Sequence, residues 1–263
     1  MAHPIVVLLS DFGSRDHYAG VMKGVVIGIC PDATLVDLSH EIPPHDVQMA
    51  ALELAAAYRY FPVGSVFLVV VDPGVGSGRR GLAADIGDYR FVAPDNGVLT
   101  AVFHESPPKR VVDLTERRYA RPTVSHTFEG RDRFAPAAAW LARGIQLSAL
   151  GRPVHDYVMI DLPVPDVRAE SITGQVIRVD RYGNLVTNID RKSFERLAQA
   201  GTIQIQVGTH VVGRLVATYV DIGEGEVCAL FGSTDHLELA ANAASAAERL
   251  ALDRGARVVV RGD

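Results

Sequence analysis

Two cysteines and one tryptophan in 263 residues already exclude several classes of protein. Cys30 and Cys228 stand far apart, which rules out a disulfide scaffold or a Cys-based zinc site and suits a reducing compartment. An excess of basic charge is also missing: 26 Lys and Arg face 31 Asp and Glu, for a formal charge of −5 and a pI of about 6.0. Neutralising phosphates calls for clustered Lys and Arg, so a small or zwitterionic ligand is expected rather than nucleic acid. No apolar run approaches the ~20 residues that span a bilayer. Residues 1–4 lead straight into a strand-like run, so neither a membrane partner nor a signal peptide is expected, and the expected location is cytoplasmic. With 24 glycines and 14 prolines, the chain lies well below the ~25–30% that marks low complexity.

What is present is an ordinary globular composition, 48% hydrophobic and 22% charged, at a length that suits one large or two medium domains. Ile5–Leu9 and Val66–Val71 are apolar, mostly β-branched runs that end at Asp11 and Asp72, as covered parallel strands do. Helical spacing follows in Tyr18–Cys30, Val47–Tyr60 and the Ala-rich Arg133–Arg143. This alternation predicts an α/β domain over 1–160. A linker is expected over 161–166, where Pro163 and Pro165 disfavour both helix and central strand. Over 167–263 the period becomes two, in Thr173–Asp180, Thr202–Val207, Val211–Val220, Val227–Leu230 and Arg257–Arg261. One helix is expected at Ala240–Asp253, inside an all-β barrel-like domain.

Four segments carry candidate chemistry. In Ser10-Asp-Phe-Gly-Ser-Arg-Asp16, the Asp11 carboxylate offers two acceptor oxygens to a vicinal diol and Asp16 can meet an ammonium, although for the motif taken alone a turn or cap is the better explanation. Val71-Asp-Pro-Gly-Val-Gly-Ser-Gly-Arg-Arg80 is glycine-rich but lacks the Lys-Ser/Thr of a phosphate loop and opens no helix. Its glycines instead let backbone approach a ligand while Asp72 faces a cleft with Arg79 as partner. In Ser125-His-Thr-Phe-Glu-Gly-Arg-Asp-Arg-Phe134, Arg131 and Asp132 suit a pair that caps the next helix, and Glu129 is the better active-site candidate. His126 and Glu129 lack further ligands at metal spacing, so no metal is expected. Asp180-Arg-Tyr-Gly-Asn184 is turn chemistry, although Asn184 carries the donor and acceptor that an adenine edge requires. The remaining histidines form no constellation.

Taken together, Ser10-Asp-Phe-Gly, Val71-Asp-Pro-Gly-Val-Gly, Ala93-Pro-Asp-Asn-Gly97, Thr127-Phe-x-Gly-Arg-Asp132, Asp180-x-x-Gly-Asn184 and Asn242-Ala-Ala-Ser245 resemble the S-adenosylmethionine hydroxide adenosyltransferase family, relatives of the fluorinase and chlorinase. The resemblance implies an N-terminal α/β domain, a C-terminal β-barrel, and a homotrimer with active sites between one subunit's first domain and its neighbour's second. It implies hydrolysis of S-adenosylmethionine to adenosine and L-methionine without a cofactor. By the same resemblance Asp11 holds the ribose diol, and Asp16, Asp180 and Ser233 hold the methionine amino-acid group. Tyr182 and Tyr219 sandwich the adenine, Asn184 and the backbone of Ala243 read its edge, and Phe128 lines the pocket beside the reacting carbon. Family hydrolases place an Asp, an Arg and a His around the attacking water. Asp72 and Arg79 match the first two, and Glu129 stands where the His is expected.

That substitution predicts two neighbouring carboxylates, one with a raised pKa that suits a general base. Asp72 also disfavours a halide, since at ~4 Å and an effective dielectric of ~20 the repulsion is about 4 kcal/mol. Asp72, Val75 and Gly130 stand where the fluorinase pattern has Tyr, Thr and Ser. The competing readings are a halide adenosyltransferase and a non-catalytic sensor of S-adenosylmethionine or adenosine.

Overall fold

The runs that alternate along the first 160 residues build one mixed sheet. A computed structural model describes residues 3–199 and 201–262, in two units that divide between Asp161 and Leu162. In the first unit β1 (Ile5–Ser10), β2 (Thr34–Ser39), β3 (Val66–Val70) and β5 (Tyr89–Pro94) run parallel, and β4 (Gly81–Ile86), β6 (Pro108–Asp113) and β7 (Arg152–Pro153) add an antiparallel edge. The order is β2-β1-β3-β5-β4-β6-β7. Val6 to Leu9 and Val66 to Val70 are all buried, because helices cover both faces of a parallel strand.

The covering helices are α1 (Tyr18–Ile29), α2 (Val47–Ala57), α3 (Thr100–Glu105) and α4 (Ala135–Ala142). Asp46 caps α2 by accepting from Met49 N at 2.9 Å. The core between α1, α4 and the sheet is built from residues such as Leu8, Met22, Leu68, Val70, Phe134 and Leu141. The chain leaves β1 toward β2 on one side and returns to β3 on the other, which is a topological switch point. Ser10 is in register with Val70, so the residues that follow, Asp11 and Asp72, emerge side by side at the carboxyl edge.

The second unit is a barrel-like antiparallel sheet in the order β12-β11-β15-β9-β10-β14-β13, with β8 paired to β9. Its strands are β8 (Asp166–Val167), β9 (Ser171–Val179), β10 (Leu185–Asp190), β11 (Ile203–Val207), β12 (His210–Val212), β13 (Val227–Phe231), β14 (His236–Ala241) and β15 (Arg257–Gly262). Beyond β12 the chain turns back onto β13, where Ala229 N donates to Arg214 O at 2.8 Å and Val216 N donates to Ala229 O at 3.0 Å, nearly closing the sheet. Ile172, Leu185, Phe194, Val207, Leu237 and Val258 fill its interior. α5 (Arg191–Ala198) is capped by Asp190, and α6 (Ala246–Leu250) by Ser245.

The fold class is the one the sequence predicts, with two local differences. Ala240 and Ala241 lie in β14, and the expected helix over 240–253 is confined to Ala246–Leu250. Sheet burial of these alanines overrides their helix propensity. The expected strand Val211–Val220 stops at Val212, because Asp221 takes the amides of Ala217 and Thr218 into a local turn.

Candidate active site

The glycine-rich segment after β3 is a tight reversal that brings Arg79 back onto Asp72. Gly76 has a φ of 79°, and a Cβ there would collide with the carbonyl of His126. Arg79 Nε donates to Asp72 Oδ1 at 2.8 Å and its Nη2 donates to Asp72 Oδ2, a bidentate pair. Arg79 Nη1 donates to Glu129 Oε2 at 3.1 Å and to the carbonyl of Arg80 at 3.3 Å. Arg133 Nη1 donates to the same Glu129 oxygen at 2.9 Å. The side chains of Asp72, Arg79 and Glu129 are 6, 9 and 8% exposed, so this cluster of two acids and two guanidinium groups is largely out of water.

A cleft of about 290 Å³ opens above the cluster, and Asp11, Asp72, Phe128 and Glu129 all line it. Arg79 is not in its wall, so the carboxylates face the space and the guanidinium lies behind them. Burial pushes the Asp72 carboxyl above the ordinary carboxylate range; the Arg79 pairing pulls it back and the Glu129 charge raises it further. The repulsion of a halide is weaker than for a lone carboxylate, because Arg79 and Arg133 balance the two charges. Four of the five Arg79 N–H donors are nonetheless already taken, which leaves little for an anion. Val75 and Gly130 line the same cleft.

Phe128 lies edge-on to Phe12 and Tyr18, with ring centroids 5.8 and 5.2 Å away. Asp11 caps no helix and instead accepts from His45 N at 2.8 Å. His45 has a φ of 68°, a strained conformation beside the cleft. Asp16 is exposed and stands outside the cleft wall. Arg131 and Asp132 do pair, at 2.7 Å, yet Asp132 accepts from Ser125 N at 2.9 Å and so ties down the preceding loop rather than capping a helix. Gly130–Phe134 form a π-helical turn that leads into α4 and carries Glu129 at its entrance.

In the second unit Asp180, Tyr182, Asn184, Tyr219, Ser233 and Ala243 surround one pocket of about 770 Å³. Asp180 is the organiser of its own turn, accepting from Tyr182 N, Asn184 N and Asn184 Nδ2, each at 2.9 Å. Gly183 has a φ of 81°, and a Cβ there would strike Ser245, so the turn requires glycine. The second Asn184 amide hydrogen and its carbonyl oxygen have no partner among the described residues, while Tyr182 is 78% exposed. Ala243 holds a left-handed φ of 54° at the pocket wall.

Sequence reasoning missed Arg133, His45 and Glu238. Arg133 had a signal, since Glu129 and Arg133 are four apart and meet once the segment is helical. Among the described residues no group of three His, Cys, Asp or Glu is placed to hold a metal ion, and no helix is long and apolar enough to cross a membrane.

An α/β unit with a carboxylate cleft at its strand switch point, followed by a barrel-like unit with an aromatic-walled pocket, defines a small-molecule enzyme. The chain belongs to the SAM hydroxide adenosyltransferase family, whose N-terminal domain model matches residues 6–151 and whose C-terminal domain model matches residues 174–259. It is 38% identical over 258 residues to an (R)-S-adenosyl-L-methionine hydrolase of Thermus thermophilus, covering 95% of this chain and 96% of that protein. A protein of the same name from Salinispora tropica is 36% identical, covering 98% and 97%. A fluorinase of Nocardia brasiliensis is 30% identical over 290 residues, covering 98% and 97%. That alignment is longer than this chain, so the fluorinase carries segments this chain lacks. Among solved structures, an uncharacterized conserved protein of Thermotoga maritima superposes with a TM-score of 0.93 at 34% identity, covering 97% of this chain and 99% of that one.

Proposed function

We propose that this protein hydrolyses S-adenosyl-L-methionine to adenosine and L-methionine by in-line attack of water at C5′ of the ribose. The observation that carries the reading is the Asp72–Arg79 pair beneath a cleft into which the carboxylates face. The hydrolase names of the relatives that match nearly end to end support it. Sulfonium departs as a neutral thioether, so the leaving group needs no proton and the reaction no cofactor. Asp72 accepts a proton from water as the oxygen bonds to C5′, and the C5′–sulfur electron pair returns to sulfur. One water is consumed and one proton passes to solvent. A carboxyl raised by burial is a stronger base than an ordinary carboxylate. Arg79 fixes its orientation, and Glu129, held by two guanidinium groups, serves as the anchor of Arg79 rather than as a second base.

In this reading Asp11 takes the ribose diol and Phe128 packs beside the reacting carbon. Asn184, the Ala243 backbone, Tyr182 and Tyr219 hold the adenine, while Ser233, Asp180 and Asp16 belong to the amino-acid end. We infer a homotrimer in which one subunit's first unit meets its neighbour's second, since the groups that handle water and ribose lie in one unit and those that handle adenine in the other. Light scattering should give three times the 28.3 kDa chain mass. A reducing, cytoplasmic setting suits two buried thiols left unpaired.

The test is incubation with S-adenosylmethionine followed by chromatography, with and without fluoride or chloride. Equal adenosine and methionine, indifferent to halide, are expected, with ¹⁸O from labelled water in the 5′ hydroxyl. A halogenated nucleoside, or a stable complex that is never consumed, would overturn the reading.

A further inference from the structure

The segment Ala93-Pro-Asp-Asn-Gly97 has no part in the site described above, yet it stands where β5 ends beside β3. The two strands run parallel with Leu68 in register with Val92, so the residues that follow them leave the sheet side by side. Asn96 Nδ2 donates to the carbonyl of Val71, one residue before Asp72, at 2.8 Å, while its Oδ1 accepts from Val98 N at 3.2 Å. One amide does both because it carries a donor and an acceptor. Asp95 holds the other end of the same reversal. Its backbone N donates to Arg80 O at 3.0 Å, the carbonyl that also accepts from Arg79 Nη1 at 3.3 Å. The Asp95 carboxylate is 3% exposed and accepts from Arg80 Nε at 2.7 Å on one oxygen and from Val158 N at 2.8 Å on the other. Arg80 is pinned from its far side as well, since Nη1 donates to Asp156 Oδ1 and Nη2 to Asp156 O, each at 2.7 Å.

We infer that Asp95 and Asn96 are positioning residues for the hydrolysis: they fix the two ends of the 72–79 reversal, so that the Asp72 carboxylate meets the cleft at one angle and Arg79 stays bidentate behind it. The inference rests on the hydrolase reading above and deepens it. Gly74, Gly76 and Gly78 give the reversal little stiffness of its own, so its shape depends on what holds its ends. Neither Asp95 nor Asn96 lines the cleft, and each therefore acts through Asp72 and Arg79 rather than on substrate. The competing reading is a turn that stabilises the sheet and does nothing else. Against it, Asn96 reaches beyond its own turn to the carbonyl beside the base, and the Asp95 amide shares its acceptor with a donor of Arg79. A base that drifts by a fraction of an ångström from the line of attack loses rate without losing substrate.

Asn96→Asp is the sharpest variant, because it keeps the acceptor for Val98 N and loses only the donor to Val71 O. In the full-length protein kcat should fall by roughly 10- to 100-fold with KM nearly unchanged. The acid limb of the pH profile should also move to higher pH, since a loosened Arg79 pairing pulls the Asp72 carboxyl down less. Arg80→Met frees the opposite end from a partly exposed side chain and should shift both quantities in the same directions, which keeps the test open if Asn96→Asp fails to fold. A turn that only stabilises would instead lower unfolding free energy and leave kcat per folded molecule and the acid limb where they were. That result would overturn the assignment, while turnover by the wild type keeps the hydrolase reading. A second measurement needs no turnover: the Nε–H NMR signal of Arg79 in protein made with ¹⁵N-labelled arginine, identified by its loss in Arg79→Lys. Its exchange with water should be faster in both variants. If the wild type binds S-adenosylmethionine without consuming it, the hydrolase reading falls; faster Arg79 exchange in the variants then upholds the clamp on the pair, and unchanged exchange overturns it.

Discussion

Ser10 Oγ lies 2.6 Å from Nδ1 of His40, a hydrogen bond that ties the end of β1 to the segment just beyond β2. The chain of contacts continues from His40 Nε2 to Asp37 at 3.0 Å and from Lys23 to Asp37 at 2.6 Å, while the His40 carbonyl accepts from Gly13 N at 2.7 Å. Although the trio has the composition of a nucleophilic triad, Ser10 is fully buried and no substrate atom can reach it. Its effect is to hold the turn that carries Asp11. His40→Ala leaves a buried hydroxyl short of a partner and should destabilise the fold by about 1–3 kcal/mol in denaturant unfolding. Adenosine affinity should fall with it.

Asp72→Asn should lower kcat by at least the ~10²-fold typical of a positioned base while leaving substrate affinity nearly intact. In wild type, the Asp72 carboxyl is raised chiefly by burial, so activity should fall as pH drops through a value above the ordinary carboxylate range. Glu129→Gln removes one of the raising charges and leaves Arg79 to Asp72 alone. The acid limb of the pH profile should therefore move to lower pH. Loss of activity at every pH would instead make Glu129 the base.

Glu129→His, which restores the residue that the family resemblance leads one to expect, should be less active alone than together with Arg133→Met. The single change strips Arg133 of its 2.9 Å partner beside another guanidinium, and the double change removes the unpaired charge. Steady-state kinetics on both variants and on Arg133→Met form a double-mutant cycle, whose coupling should be roughly 1–3 kcal/mol.

For Asp132→Asn we expect a stability loss of about 2–4 kcal/mol, because a wholly buried carboxylate and its two Arg131 bonds are disrupted together. Burial pushes Asp132 upward, but the bonds from Arg131 and Ser125 and the charge of Arg121 outweigh it and hold it below the usual range. Its contribution is therefore complete above the unfolded carboxylate pKa of ~3.9 and is lost as pH falls through the lower folded value. Unfolding titrations between about pH 5 and 2 should show a slope in wild type that the variant lacks.

The strands that end at Asp11 and Asp72 were legible because a covered parallel strand reads as an unbroken apolar run. The sequence could not show that Ser10 pairs with Val70 and so sets the two acids side by side, since register is a tertiary property. Asp180 to Asn184 were recognisable as a turn, but not that the Asp180 carboxylate accepts three hydrogen bonds inside it. Glu238 was hidden because within Leu237-Glu-Leu239 it reads as the solvent-facing member of an alternating strand, whereas it is buried and lines the pocket of the second unit. The alanines of 240–241 misled through composition, helix formers being drafted into a buried strand.

The π-helical turn at Gly130–Phe134 holds one residue more than an α-helical turn of the same span would. Removing a single residue there would let α4 run on as regular helix, with Phe134, Ala138 and Leu141 still packed in the core. Everything before the deletion would swing by about 100° around the helix axis, and Glu129 would leave Arg79. A one-residue deletion would thus act as a phase slip: the inherited scaffold would persist while its chemistry went silent, so in descent from a common ancestor fold and activity can part company at this one turn.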